Sequence, residues 1–258
     1  MDGERETTRP AIQVVDLHKK LGGKVVLGGI NLEIERGKTT VIIGQSGGGK
    51  SVLIKHVIGL MKPDSGEVLV DAVDITRLSD RELNDVRKKF GMLFQGGALF
   101  DSMTVGENVA FPLKEHTSKG EQEIREIVRE KLHQVGLKGI EHMMPAELSG
   151  GMKKRVALAR AVALDPEIVL FDEPTTGLDP VTSDAIDELI LSTHEHTKAT
   201  LVVISHDIAG TFKVAHKVAM IYQGNIILEG TPDDFRTSSD PVVRQFIERK
   251  AEGPIKIL

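Results

Sequence analysis

Short unbroken apolar runs alternate along the chain with longer stretches whose apolar positions recur every three or four residues. Ile12 to Leu17 and Val25 to Ile34 are apolar-rich segments punctuated by Gly22-Gly23 and Gly28-Gly29. That is the pattern of strands joined by tight turns, and their closeness in sequence predicts a local antiparallel arrangement. Thr39-Thr40-Val41-Ile42-Ile43 reads as a buried strand. It ends in a glycine-rich loop that leads straight into a helix-like pattern from Ser51 to Ile58. From about residue 96 to 163 the character turns helical, with Ile124, Ile127, Val128, Leu132 and Val135 at helical spacing. Glu167 to Phe171 and Ala199 to Ile204 are β-rich runs separated by a helical stretch from Pro180 to His196, the rhythm of a parallel sheet. The fold class is therefore α/β. In the last segment Val242, Val243, Phe246 and Ile247 form an apolar helical stripe, Gly253-Pro254 is expected to end it, and Ile255, Ile257 and Leu258 follow. Such a stripe needs cover, so residues 240 to 258 are expected to dock on their own core or on a second copy.

Composition narrows the classes. In 258 residues, 40% are hydrophobic and 28% charged, which excludes a disordered or collagen-like chain. No run approaches the ~18 apolar residues of a membrane span. The first residues lack a secretory pattern, so the chain is expected to remain where it is made. With no cysteine there is neither a disulfide framework nor a thiolate metal site, which points to the cytosol. Aromatic residues are 3%, with no Trp and only Tyr222, so the core is filled by aliphatic side chains suited to buried parallel strands. A net charge of −5 argues against a nucleic-acid partner. There is no internal repeat.

Three motifs carry chemistry. Gly44-Gln45-Ser46-Gly47-Gly48-Gly49-Lys50-Ser51 fits G-x-x-x-x-G-K-[ST] between an expected strand and helix. The glycines let successive N–H groups converge on phosphate oxygens, Lys50 reaches the β/γ-phosphates and Ser51 offers its hydroxyl to Mg²⁺. Ile168 to Phe171 delivers Asp172 and Glu173 at a strand end. Asp172 is expected to hold the metal or its water, and Glu173 to polarise an attacking water, although by themselves two acids there are also what a solvated loop start looks like. Leu148-Ser149-Gly150-Gly151-Met152 opens a long helical run, with Ser149 as N-cap. Alone, this is an ordinary cap. Following a phosphate loop about a hundred residues upstream, it points to a second anion site that completes the nucleotide site of another copy. The basic residues from Lys153 to Arg160 are expected on a solvated helix face.

In this order the motifs resemble those of an ABC-type ATPase, the nucleotide-binding subunit of an ATP-binding-cassette transporter, over about residues 10 to 235. The resemblance implies a P-loop NTPase fold of ABC type, with a mixed sheet core, an antiparallel β subdomain and an inserted helical subdomain. It places the ATPase domain at 10–238, its helical subdomain at about 96–163 and a C-terminal tail at 239–258. It implies binding of ATP and Mg²⁺ by Leu21, by Gly44 to Ser51 with Val52, and by Ser149, Gly150, Gly151 and Asp179. Metal contacts fall to Ser51, Gln95 and Asp172, and Glu173, His206 and Gln95 act in hydrolysis, His206 as the switch histidine across a homodimer. Gln95 begins the segment that joins hydrolysis to an integral membrane permease, for which Phe100, Met103 and Phe111 are apolar contact candidates. Two positions depart from the common pattern: Leu21 stands where an aromatic ring usually stacks on adenine, and Met152 where glutamine is usual. The stretch from Phe94 to Thr117, Met152, and the tail from Asp240 to Phe246 resemble the Mla branch, which energises phospholipid traffic between bacterial inner and outer membranes. That branch implies MCE-domain and small accessory partners and a place on the cytoplasmic side of the inner membrane. The competing readings are an ABC transporter for another small solute, and a soluble ABC protein acting on nucleic acid.

Overall fold

The computed structural model describes residues 9–256. In chain order the first elements are β1 (Ile12–Leu21), β2 (Lys24–Ile34), β3 (Thr39–Gly44), α1 (Lys50–Val57), β4 (Ser65–Val70), β5 (Val73–Asp74) and α2 (Asp80–Arg87). Then come β6 (Phe90–Leu93), α3 (Val105–His116), α4 (Glu121–Gln134), α5 (Gly150–Ala161), β7 (Ile168–Asp172) and α6 (Pro180–Thr197). The chain continues through β8 (Thr200–Ile204), α7 (Ile208–Val214), β9 (Lys217–Tyr222), β10 (Asn225–Gly230), α8 (Pro232–Thr237) and α9 (Pro241–Ile247). Internal packing separates two bodies, one of residues 9–83 with 202–256, the other of residues 84–201.

In the first body β1 and β2 pair antiparallel across Gly22-Gly23, with Leu21 facing Lys24 and Ile12 facing Ile34. Gly28-Gly29 do not form a second turn but lie inside β2. Gly29 has φ 102, and a Cβ there would come within 3.1 Å of Asp16 Oδ1, so the glycine absorbs a bulge in the neighbouring strand. β4 and β5 extend this sheet in the order β2-β1-β4-β5. The sequence pattern did not disclose them; β4 is held by pairing Val68 with Val14 and Val70 with Ile12. β3, buried at all six positions, lies parallel to β9, and β10 is antiparallel to β9, which makes this second sheet mixed.

The C-terminal helix stops at Ile247, six residues short of Gly253-Pro254. The stop is made by Arg249 at φ 54, and the Lys250 N–H closes the turn onto the Gln245 carbonyl at 3.1 Å. Of the expected stripe only Val243 is fully buried, while Val242, Phe246 and Ile247 are half-buried. Residues 240–256 dock on their own body. Buried Gln245 clips the returning chain by accepting from the Ile255 N–H at 2.6 Å and donating to its carbonyl at 3.1 Å. Ile257 and Leu258 lie outside the described residues.

In the second body β6 and β7 run parallel, Phe90 beside Ile168 and Leu93 beside Phe171. Their neighbours α3, α4 and α5 are the expected helical insertion. Ile124, Val128, Leu132 and Val135 face its interior as the periodicity predicts, while Ile127 is half-buried. Asn108, fully buried on α3, ties down the preceding loop by donating to the carbonyls of Phe100, Met103 and Thr104 at 3.0–3.1 Å. Its own carbonyl accepts from the Phe100 N–H at 2.8 Å.

Candidate nucleotide site

The loop between β3 and α1 is wound by glycines that nothing else can replace. Gly44 sits at φ 146 and a Cβ there would be 2.2 Å from the Ile221 carbonyl oxygen on β9. Gly49, at φ 103, would place a Cβ 2.8 Å from both Leu27 Cδ2 and the Val26 carbonyl. Gly49 also serves as N-cap of α1 and lends no side chain to the first-turn amides. A side-chain cap is the ordinary way to satisfy those amides; an anion is the other. Lys50 is buried, and its Nζ donates to the carbonyls of Gly44 at 2.8 Å and Gln45 at 3.1 Å, so the ammonium lies inside the curve of its own loop. Gln45, Ser46, Gly47 and Ser51 are exposed along its crest, with Gly48 and Val52 half-buried. The cradle and its cation fit a nucleoside polyphosphate.

Two other expected residues belong to this body. Leu21 ends β1 and is 41% exposed, available to a ligand face. His206 follows the buried end of β8, whose Ser205 N–H donates to the Ile42 carbonyl at 3.1 Å. The imidazole is exposed, and the next residue, Asp207, caps α7 and accepts from Arg249 of the tail at 3.3 Å.

In the second body the structure brings Gln95 and Glu173 together. Glu173 Oε2 accepts from Gln95 Nε2 and from Thr176 Oγ1, both at 2.9 Å, while its backbone lies in the left-handed region at φ 49. Asp172 closes β7 just before it. Behind both stands Lys154 of α5, whose Nζ donates to the backbone carbonyls of Gln95 and Glu173. Burial pushes this ammonium's pKa below the ordinary lysine value, against the pull of the Asp172 and Glu173 carboxylates.

Ser149 caps α5, its Oγ accepting from the Met152 N–H at 3.2 Å, and Ser149 and Gly150 are exposed at the helix start. A Cβ on Gly151 would meet Thr182 Cγ2 at 2.8 Å, so any larger residue there has to displace that side chain. Asp179 gives its carboxylate to the cap of α6, accepting from the Val181 and Thr182 N–H groups at 3.0 Å and from Thr182 Oγ1 at 2.6 Å. The Thr182 hydroxyl, with those amides, holds its pKa below the usual range.

The expectation of a solvated face from Lys153 to Arg160 is overturned. Lys154 is 6% exposed, and Lys153, Arg155 and Arg160 are half-buried. Arg160 donates to the carbonyls of Gly97 and Ala98 at 2.9 Å and lies over the Phe100 ring at 5.6 Å. Sequence reasoning missed Lys154 and Thr176. The signal for Lys154 was its spacing of three, four and seven from Ala157, Leu158 and Ala161, which places it on an apolar helix face.

Of the apolar contact candidates, Phe100 is 41% exposed and packs at 4.9 Å between ring centroids on half-buried Phe111, and Met103 is half-buried. Phe100 and Phe111 line a groove of about 850 Å³ with Phe94, Pro112 and His116.

The chain is 46% identical over 245 residues to the intermembrane phospholipid transport system ATP-binding protein MlaF of Haemophilus influenzae, covering 95% of this chain and 93% of that one. It is 44% identical over 245 residues to the probable ribonucleotide transport ATP-binding protein mkl of Mycobacterium leprae, covering 95% and 71%. Among solved structures, the dimeric post-hydrolysis state of the ATP-binding cassette MJ0796 bound to ADP and Pi superposes with a TM-score of 0.79 at 33% identity, over 86% of this chain and 98% of that one. The ABC transporter sequence profile matches residues 27–176. Cradle, capped signature helix and paired acids thus stand in a sequence and a fold shared with these proteins, and the chain belongs to the ABC transporter family.

Proposed function

We propose that this chain is the ATP-hydrolysing subunit of a membrane transporter that moves phospholipid between the inner and outer membranes of a bacterium. The observation that carries the hydrolytic part is the Gln95–Glu173–Thr176 cluster, a carboxylate aimed and held at the end of a buried strand. The 46% identity to a phospholipid-transport ATP-binding protein carries the cargo. The domain spans 10–238, with the helical subdomain at 96–163 and the tail at 239–258.

In this reading the Gly44–Val52 loop grips the phosphates through its amides and Lys50, and Leu21 lies against the base. Glu173 takes a proton from the attacking water, and Gln95 orients the water and senses its presence. Ser51, Asp172 and Gln95 are the residues that would hold Mg²⁺, which when bound would supply charge neutralisation at the phosphoryl oxygens. Ser149, Gly150 and Gly151 of one protomer complete the site of the other, with Asp179 at that junction and His206 on the terminal phosphate. The working unit is a homodimer bound to an integral membrane permease, which docks on the groove around Phe100, with MCE-domain and small accessory subunits and no nucleic acid. The subunit takes a peripheral place on the cytoplasmic side of the inner membrane through its permease; among the described residues no helix is long and apolar enough to cross a membrane.

Glu173→Gln tests the chemistry. Turnover falls by about 10²–10⁴, nucleotide binding survives, and ATP drives the variant into dimers by light scattering. Unchanged turnover removes Glu173 from its role; monomers only, with wild-type hydrolysis independent of protein concentration, defeat the shared site. For cargo, the complex purified from membranes carries phospholipid; copurification of a ribonucleotide in its place assigns the cargo named for the mycobacterial relative.

A further inference from the structure

α5 does more than present Ser149 at its start. One turn in, Lys154 is buried, and its Nζ reaches two backbone carbonyls that belong to different segments, Gln95 after β6 and Glu173 after β7. Further along the same helix Arg160 donates to the carbonyls of Gly97 and Ala98, both at 2.9 Å. The helix therefore holds the 95–98 segment by its backbone at three residues and the Glu173 loop at one.

A neutral donor or a water would satisfy these carbonyls. Burying an ammonium is costly unless it joins several partners at once, and here it joins three pieces of chain. Glu173 needs such support, because an L-residue at φ 49 stays there only when its surroundings fix it. Its carboxylate is fixed by Gln95 and Thr176, and its carbonyl by Lys154.

We infer that Lys154 is a positioning residue that locks Gln95 and Glu173 to the helix headed by Ser149, so that hydrolytic geometry in this chain depends on how that helix is seated. The inference rests on the reading of Glu173 as the group that activates water. Lys154 acts through the backbone carbonyls of Gln95 and Glu173, the two residues to which that reading assigns the water.

The test measures ATPase kcat and KM, and nucleotide Kd with a fluorescent ATP analogue, on the full chain carrying Lys154→Met, which keeps an unbranched stem of similar length and removes the donor. The expected result is a loss of about 10- to 100-fold in kcat with KM and Kd within about threefold, the signature of misplaced hydrolytic groups and not of lost binding. In a Glu173→Gln background the same substitution changes residual turnover by less than about twofold, because the carboxylate that both contacts serve is already gone and Gln95 orients only the water which that carboxylate would activate. Equal fold losses in both backgrounds, or an unchanged kcat in the first, overturn the inference. If Glu173→Gln alone leaves kcat unchanged, the functional reading has failed and not the tether. Should Lys154→Met lower the melting temperature so far that the protein is unfolded at assay temperature, Lys154→Gln decides. Its carboxamide restores a donor to one carbonyl, and kcat between those of wild type and Glu173→Gln supports the tether, while wild-type kcat rejects it.

Discussion

Gln245→Leu separates a tail that is clipped in place from one that merely lies on the surface. Leucine keeps nearly the volume of glutamine and deletes the bonds that Gln245 makes to both backbone groups of Ile255 and, at 3.3 Å, to the Lys250 carbonyl. If the tail stayed seated, the Ile255 N–H and C=O would be buried without partners. At ~1–3 kcal/mol for each unsatisfied group that amounts to roughly 2–6 kcal/mol. Release is the cheaper course. It returns the Ile255 side chain, 8% exposed when docked, to water. That loses ~1.5–3 kcal/mol of burial, offset by the backbone entropy of freed residues at ~1–2 kcal/mol each. The tail therefore lets go and the rest of the first body stays folded. Trypsin digestion of the full chain under native conditions reads this directly, because Arg249 and Lys250 are exposed but lie in a held segment. Cleavage after either residue tracks the population of the open tail, and a shift of ~1.4 kcal/mol is about tenfold in that population. The expected result is cleavage at least about tenfold faster, with the urea midpoint lowered slightly and its slope unchanged. Equal cleavage rates in variant and wild type would refute the reasoning and show that the carboxamide does not hold the tail.

Two further outcomes are expected. Leu21→Tyr supplies a ring face on the exposed end of β1 and tightens ATP binding relative to GTP in a competition assay; an unchanged ratio shows that the base is held elsewhere. His56, buried on α1 with Nδ1 donating to the Val52 carbonyl at 2.7 Å, has its pKa lowered chiefly by burial. The unfolded chain therefore binds the proton more tightly, so this contribution to stability is complete above the ordinary histidine range and shrinks as pH falls through about 6.5. In His56→Leu the urea midpoint is flatter than wild type on mild acidification, and an equally steep profile assigns the effect to another group.

The nucleotide-binding half was legible because its constraints are local. Gly44 and Gly49 are dictated by close approach of the backbone to Ile221 and Val26, and a strand–loop–helix pattern flanks them in the sequence itself. Ser149 was readable as a cap for the same reason. What stayed hidden depends on partners far along the chain. β4 carries too little pattern of its own and becomes a strand through β1. Gly28-Gly29 look like a turn until the bulge at Asp16 is present to explain them. The helix stop at Arg249 carries no glycine, so the eye passes on to Gly253. Lys154 was misassigned because charge was weighed before helical position, and only the carbonyls of residues 95 and 173 explain a buried ammonium.

The seat of the tail carries its own optical label. Tyr222, the single tyrosine in a chain without tryptophan, donates its hydroxyl to the Pro254 carbonyl at 3.3 Å and accepts from Gln223 Nε2 at 3.2 Å. No indole competes for excitation, so near-ultraviolet emission comes from one phenol placed where the returning chain meets β9. Intrinsic fluorescence of the unmodified protein thus monitors one contact, and a nucleotide or subunit that dislodges the tail changes the signal without any introduced dye.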